Sequence, residues 1–176
     1  MFATIFLPNF YLQAITRHQP ALTEQPLAVL DDTAMKAAIL QLNEAAQKAG
    51  VCAGMTPSQA LARCLHLIIK ARARQHEQEI TDILLHHAFM LSPFVEATAQ
   101  GVCTVQFMQS NRLTDKLHHV ISLLEKCGVT SRAGIASNPD ASFLGAHLAN
   151  PVLQIDQVKE FFASLPIETL ILEPTS

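Results

Sequence analysis

Chemistry in this chain would have to come from its histidines, a few acids and a thin scatter of cations. Eight histidines raise the question of a metal. His86–His87 and His118–His119 are adjacent on helix-like stretches, so each pair diverges by about 100° and cannot close on one ion. None of the eight lies in HExxH, and Cys52, Cys64, Cys103 and Cys127 form no CxxC or other metal-like spacing. No metal site is expected from these local patterns. Asp31–Asp32 stands at a strand end, where two acids could hold an ion, but turn chemistry is the commoner cause. Glu96 enters a strand, where a charge needs a partner such as a nearby Lys or Arg. Glu77 and Glu79 fall at a helix start, where the dipole suits carboxylates. There is no GxxxxGK, GxGxxG or GxSxG, and no Ser–His–Asp or Cys–His set can be assembled from spacing. Lys70, Arg72 and Arg74 form a local basic run, which a solvated helix start explains as readily as phosphate contact.

The elements that must position these groups read clearly in places. Phe2–Pro8 is an apolar strand, and Asn9 is expected to cap the helix that follows. Leu27–Leu30 and Lys36–Gln41 read as strands. Leu42–Cys64 reads as two short helices around a glycine-punctuated turn: Gly50 ends the first, and Thr56, Pro57 and Gln59 make a capping box for the second. Leu65–Lys70 is another strand and Arg74–Leu91 an amphipathic helix, with Ile80, Ile83, Leu84, His87 and Leu91 at helical spacing. Phe94–Ala99 and Gly101–Met108 form a hairpin about Gln100–Gly101. Thr114 or Asp115 is expected to cap a helix that Gly128 stops. Val129–Ala136 is a strand, and Asn138–Pro139 caps and starts a helix with Ala141, Leu144, Gly145 and Leu148 on one side. Asn150–Pro151 ends that helix, Val152–Ile155 is a short strand, and Asp156 caps a last helix to about Ser164. The order predicts an α+β fold, a mixed or antiparallel sheet backed by helices with a small helical insertion.

Composition narrows the class. The 176 residues suffice for one domain with a real core, and with 49% hydrophobic and 15% charged residues disorder is not expected. A net charge of −3 and a pI near 6.2 give no global electrostatic case for nucleic acid. No apolar run reaches the roughly 20 residues a bilayer requires, and the richest, Ile80–Val95, is broken by His86–His87 and Pro93. No signal peptide is seen, and the cysteines read as buried reduced thiols of a cytoplasmic protein.

Taken together, the segments resemble a known family. The pattern LxxxAxxxGVxxGMxxxxAxxxC over Leu42–Cys64, preceded by a strand–helix–strand stretch with PLAVL, is similar to the palm and fingers of Y-family (UmuC-like) translesion DNA polymerases. Leu91-Ser92-Pro93-Phe94-Val95-Glu96 before the hairpin, Gly134-Ile135-Ala136-Ser137-Asn138 at the late helix and Asn150–Pro151 at its end follow in the family's order. The resemblance implies a palm over 1–41 and 74–164, a fingers insertion over 42–73, and a tail from 165 to 176 leading towards a thumb that this chain lacks.

The family's reaction uses two metal ions held by three carboxylates, which clamp the attacking and leaving oxygens. At the aligned positions stand Phe6 and Pro8 in the opening strand and Gly101 and Val102 in the hairpin, none of them acidic. A tyrosine and an arginine expected to meet the triphosphate are replaced by Glu44 and Gln47, and a lysine by Asn150. Tyr11 occupies the sugar-gate position. The apolar strand ending in Leu7–Pro8 resembles the ImuB-like branch, regarded as non-catalytic. That branch implies an adaptor in damage-induced mutagenesis without cofactor or membrane. Its partners would be a separate translesion polymerase, a RecA-like accessory protein or the sliding clamp, with weak DNA contact through Lys70, Arg72, Arg74 or Arg132. Three other readings stay open at this level: an active polymerase fragment using Asp31, Asp32 or Glu96 as ligands, a helix-turn-helix DNA reader over Leu42–Cys64, and a remnant without function.

Overall fold

The computed structural model describes residues 1–31, 37–108 and 111–166. Two compact units are present, one formed by Met1–Pro8 and the chain from Ile80 onward, the other by Asn9–Glu79. Helices and mixed sheets alternate in both, so the α+β expectation holds.

The first unit is built on a five-stranded sheet. Its strands are β1 (Phe2–Phe6), β5 (Val95–Ala99), β6 (Val102–Gln106), β7 (Arg132–Ala136) and β8 (Val152–Gln154), in the spatial order β5-β6-β1-β7-β8. β1 lies between β6 and β7, antiparallel to both, and β8 joins β7 in parallel. The hairpin expected about Gln100–Gly101 joins β5 to β6, with Gly101 at φ 69° and a register shift between Ala97 and Ala99.

Three helices of this unit are α5 (Leu113–Lys126), α6 (Pro139–Leu148) and α7 (Val158–Ser164). α5 buries Leu113, Leu117, Val120, Ile121 and Leu124. The expected cap by Thr114 or Asp115 does not form: Arg112 precedes the helix at φ 54°, and the Thr114 hydroxyl donates to Gln154 Oε1 at 2.7 Å. Asp156 likewise does not cap α7; it accepts from Gln154 Nε2 at 2.7 Å, and Gln157 stands at the cap position. Asn138 does cap α6, accepting from Ala141 N at 2.8 Å.

α6 buries most of the side expected: Ala141, Leu144 and Gly145 are buried, together with Ser142, Ala146 and Ala149, but Leu148 is 45% exposed. The cause is the close approach of two backbones. Gly134 on β7 faces α6 so closely that an added Cβ would overlap the backbone of Ser142 and Ala146, and a Cβ on Gly145 would lie 2.8 Å from Ile155 Cδ1. Small residues therefore take the sheet side of the helix, and the longer leucine is rotated outward.

The second unit carries a sheet that the sequence did not separate from the first. Its strands are β2 (Leu27–Asp31), β3 (Ala38–Leu42) and β4 (Ile68–Ala71), in the order β3-β2-β4. β2 pairs antiparallel with β3 and parallel with β4. Helices α1 (Phe10–Thr16), α2 (Glu44–Lys48) and α3 (Pro57–Arg63) belong with it. The helical pair expected as an insertion over 42–73 thus shares one unit with β2 and β3. Its core is Ala28, Ile39, Leu42, Ala46, Val51, Ala60 and Leu67.

Local chemistry explains the entry into each helix. Asn43 Oδ1 accepts from Ala46 N at 3.1 Å and Leu27 N at 3.0 Å, and its Nδ2 donates to Gln25 O at 2.7 Å. One side chain thereby caps α2 and ties it to β2. The Thr56–Gln59 capping box of α3 is complete. α1 departs from expectation. Asn9 sits in the left-handed region at φ 52° and caps nothing, and Gln41 Oε1 accepts from Tyr11 N at 3.0 Å instead. α4 (Arg74–Phe89) closes the set, burying Ile80, Leu84 and Ala88. No helix among the described residues is long and apolar enough to cross a membrane.

Candidate functional site

Phe6, Gly101 and Val102, singled out in the sequence, meet at the junction of β1 and β6. Phe6 faces Val102 in the antiparallel register, and Leu7 N donates to Gly101 O at 2.8 Å. Side chains at Phe6 and Val102 are therefore neighbours, close enough that carboxylates there could share an ion. The actual side chains form an apolar cluster: Phe6, Val102 and Ala146 are buried, with Ala99 and Phe143 packed against them. The Phe6 ring stacks on the His147 imidazole at 4.0 Å and 23°, and Phe143 meets the same imidazole at 4.4 Å.

His147 is held as a neutral ring. Its Nδ1 lies 3.0 Å from Phe143 O, which fixes Nδ1 as the protonated nitrogen. Burial pushes its pKa below the ordinary value, the Phe143 carbonyl opposes that, and the Arg132 charge adds to the depression. The unfolded chain takes up this proton near pH 6.5, before the folded one does. The contribution to stability is complete above that pH and is lost as pH falls towards the depressed folded value. Urea midpoints at about pH 7.5 and about pH 5.5 are expected to differ more for the native chain than for His147→Phe, which keeps the stack without the titrating group. Equal pH sensitivity in both would show that His147 contributes nothing to it.

Behind this cluster runs a chain of hydroxyls. Ser142 Oγ donates to Pro139 O at 2.7 Å, so it must accept from Thr4 Oγ1 at 2.8 Å. Thr4 in turn accepts from Thr104 at 3.2 Å. Thr4 and Ser142 are fully buried, so the network satisfies polar atoms that would otherwise be costly. It ties β1, β6 and α6 together and has no acid or base among its three side chains.

In the second unit Tyr11 is buried and holds an edge contact with Phe10 at 5.3 Å. The Arg72 guanidinium lies 4.6 Å over its ring. Arg72 is also forked onto Glu77, at 3.0 Å and 2.6 Å, with both side chains largely buried. That hydrogen bond raises the Arg72 pKa, and burial raises that of Tyr11. The fork occupies the guanidinium's best donors, so Arg72 acts as an internal strut. Lys70 is half-buried on β4, and Arg74 is exposed at the start of α4. Glu44 is exposed and paired with Lys48 at 2.6 Å, which lowers its pKa, and Gln47 is exposed on the same helix.

Of the remaining candidates, Arg132 touches the Phe6–His147 cluster, and the charge of Asp31 acts on Tyr11 and Arg72. Arg132 Nη1 reaches His147 O at 3.4 Å, and its side chain lines a cavity of about 320 Å³ with Ser131, Asn150 and Pro151. Glu96 is exposed on β5 beside Thr104 and Gln106. Asp31 ends β2, while Asp32 lies outside the described residues. Pro8 is half-buried just beyond β1. Not all cysteines are buried as expected. Cys103 is, and burial pushes its thiol up to about 12, but Cys52 is exposed in the turn between α2 and α3. Sequence spacing missed one cluster entirely: His18, His76 and Glu79 converge from α1's far end and α4. Its signal is non-local, since His18 and Glu79 are 61 positions apart.

Comparison with known proteins places this geometry. The model of the impB/mucB/samB family matches residues 5–146. The chain belongs to the impB/mucB/samB family. Among curated relatives it is similar to DNA polymerase IV of Ralstonia nicotianae, 25% identical over 170 residues. It is also similar to DNA polymerase IV of Pseudomonas syringae pv. tomato, 28% identical over 172 residues. Each alignment takes in 92% of this chain but 48% of the relative, so the chain spans about half the length of the curated relatives it matches. Its fold is like that of a Dbh DNA polymerase solved as an insertion ternary complex, with TM-score 0.82 and 18% identity over 96% of this chain and 53% of that one. DinB from Sulfolobus solfataricus gives TM-score 0.76 and 19% identity over 96% of this chain and 52% of that one. This impB/mucB/samB member is therefore a relative of the Y-family DNA polymerases and corresponds to their palm-and-fingers region.

Proposed function

We propose that this chain is a polymerase-like palm-and-fingers domain whose nucleotidyl-transfer centre is no longer used, and that it serves translesion DNA repair as an adaptor. The observation that supports this reading is the packing of Phe6 against Val102, Phe143 and His147. Phosphoryl transfer in such a site depends on carboxylates that hold two ions in line with the reacting oxygens. An apolar cluster at those positions supplies no ligand and excludes the ions' water. In this reading the unit with β1 and β6 is the palm, and Asn9–Glu79 takes the role of the fingers.

The ImuB-like branch fits the same features. Work there would be done through protein partners: a separate polymerase, a RecA-like accessory protein or the sliding clamp. Contact with DNA would be weak and carried by Lys70, Arg74 and Arg132, since Arg72 is committed to Glu77. Primer extension on a primed template with magnesium or manganese is expected to give no incorporation. Incorporation that disappears with a chelator would overturn the catalytic half of the proposal. Co-purification from damaged cells tests the adaptor half: a polymerase, the clamp or a RecA-like protein should accompany the chain, and recovery without any of them defeats it.

A further inference from the structure

We propose that His18, His76 and Glu79 form a binding site for a divalent transition-metal ion of the zinc class. Each offers one donor atom, and the three donors lie within 4.8 Å of one another. His76 and Glu79 are three residues apart on α4, which places them on one face of the helix. His18, just beyond α1, completes the set, its Nε2 lying 3.0 Å from Glu79 Oε2. The two imidazoles already stack at 4.0 Å and 26°. His76 Nδ1 is shielded from solvent and has no hydrogen-bond partner among the described residues. A buried ring nitrogen without a partner is costly, and a hydrogen bond or a metal ion would satisfy it.

Two imidazoles and one carboxylate are a donor set suited to zinc and its neighbours rather than to magnesium or calcium, which take oxygen. Zinc at about 2.0–2.1 Å from each donor would hold them about 3.3 Å apart, with water as fourth ligand. The His18–Glu79 pair is near that separation now. The rings must open out of their stack, and His18 is the exposed member that can rotate to do so. Arg17 Nη1 stands 3.7 Å from Glu79 Oε2 and 3.5 Å from His18 Nε2. It competes with the ion for the same carboxylate, which keeps the affinity moderate. A bound ion would join the segment after α1 to the start of α4 and stabilise the Asn9–Glu79 unit by mass action.

The test is a competition titration of the full, tag-free chain with zinc against a chromophoric chelator, paired with cobalt(II) absorption as a direct report of ligand type. One ion per chain is expected. His18→Ala removes an exposed ligand without opening a core and should weaken binding at least about tenfold, as should Glu79→Gln. The control His118→Ala/His119→Ala removes two exposed histidines elsewhere and should leave binding unchanged. Absence of saturable binding in the native chain overturns the proposal. So does binding that survives His18→Ala and Glu79→Gln, or that is lost in the control.

Discussion

Phe6→Asp is expected to cost about 4 kcal/mol of stability and to restore no metal binding. Under the proposed function the substitution puts an acid back at a position where nucleotidyl transfer would need one, yet the surroundings do not suit it. Removing a buried phenyl ring alone costs about 3–5 kcal/mol. The new carboxyl would lie among Val102, Ala146 and Phe143, where burial raises its pKa, while Arg132, its register partner across β1 and β7, opposes that rise. The stack on His147 would go as well, an effect of about 1 kcal/mol. Against a total stability of about 5–15 kcal/mol the sum is a large fraction. Urea denaturation with and without magnesium measures it. Recovery of stability by the ion, in Phe6→Asp or in Phe6→Asp/Val102→Glu, would show that a two-carboxylate site can still assemble there.

Gly134→Ala should be nearly as damaging, at about 3 kcal/mol. The methyl group has nowhere to go, since the atoms it meets are backbone of Ser142 and Ala146 and cannot swing aside. α6 would have to lift from β7, which would disturb the Thr4–Ser142 hydrogen bond at the same time. Gly50→Ala is the informative contrast. Gly50 has φ 83° with nothing within 4 Å of an added Cβ, so its cost is conformational alone, about 1 kcal/mol. Chemical denaturation of the two variants separates the causes. Equal costs would mean that α6 adapts more easily than the backbone contact implies.

What could be read in advance was whatever depends on neighbours in sequence. The Thr56–Gln59 capping box, the Asn138 cap and the hairpin at Gln100–Gly101 each need only a few consecutive residues, and all are present. Features assembled from distant segments were not legible. Asn9 looked like the cap of α1, but Gln41 arrives from 30 residues away to do that work. The apolar stripe of α6 pointed to Leu148, because nothing in the helix itself announces that β7 presents a glycine. The three-stranded sheet could not be separated from the five-stranded one, since strand patterns do not name their partners. The candidate site divides in the same way. The resemblance picked out Phe6 and Val102, which prove to be register neighbours, but the Arg72–Glu77 fork and the His18 cluster needed coordinates.

The bulged margin at β5 bears on how the chain behaves when crowded. An outermost strand exposes a row of amide and carbonyl groups that a second molecule could zip onto. Here the row is interrupted by the shift between Ala97 and Ala99, and Glu96 sets a negative charge on it. The opposite margin, β8, is only three residues long. Two molecules meeting edge to edge would have to desolvate that carboxylate and straighten the kink before a sixth strand could add. Both margins of the sheet thus oppose fibre-like self-association.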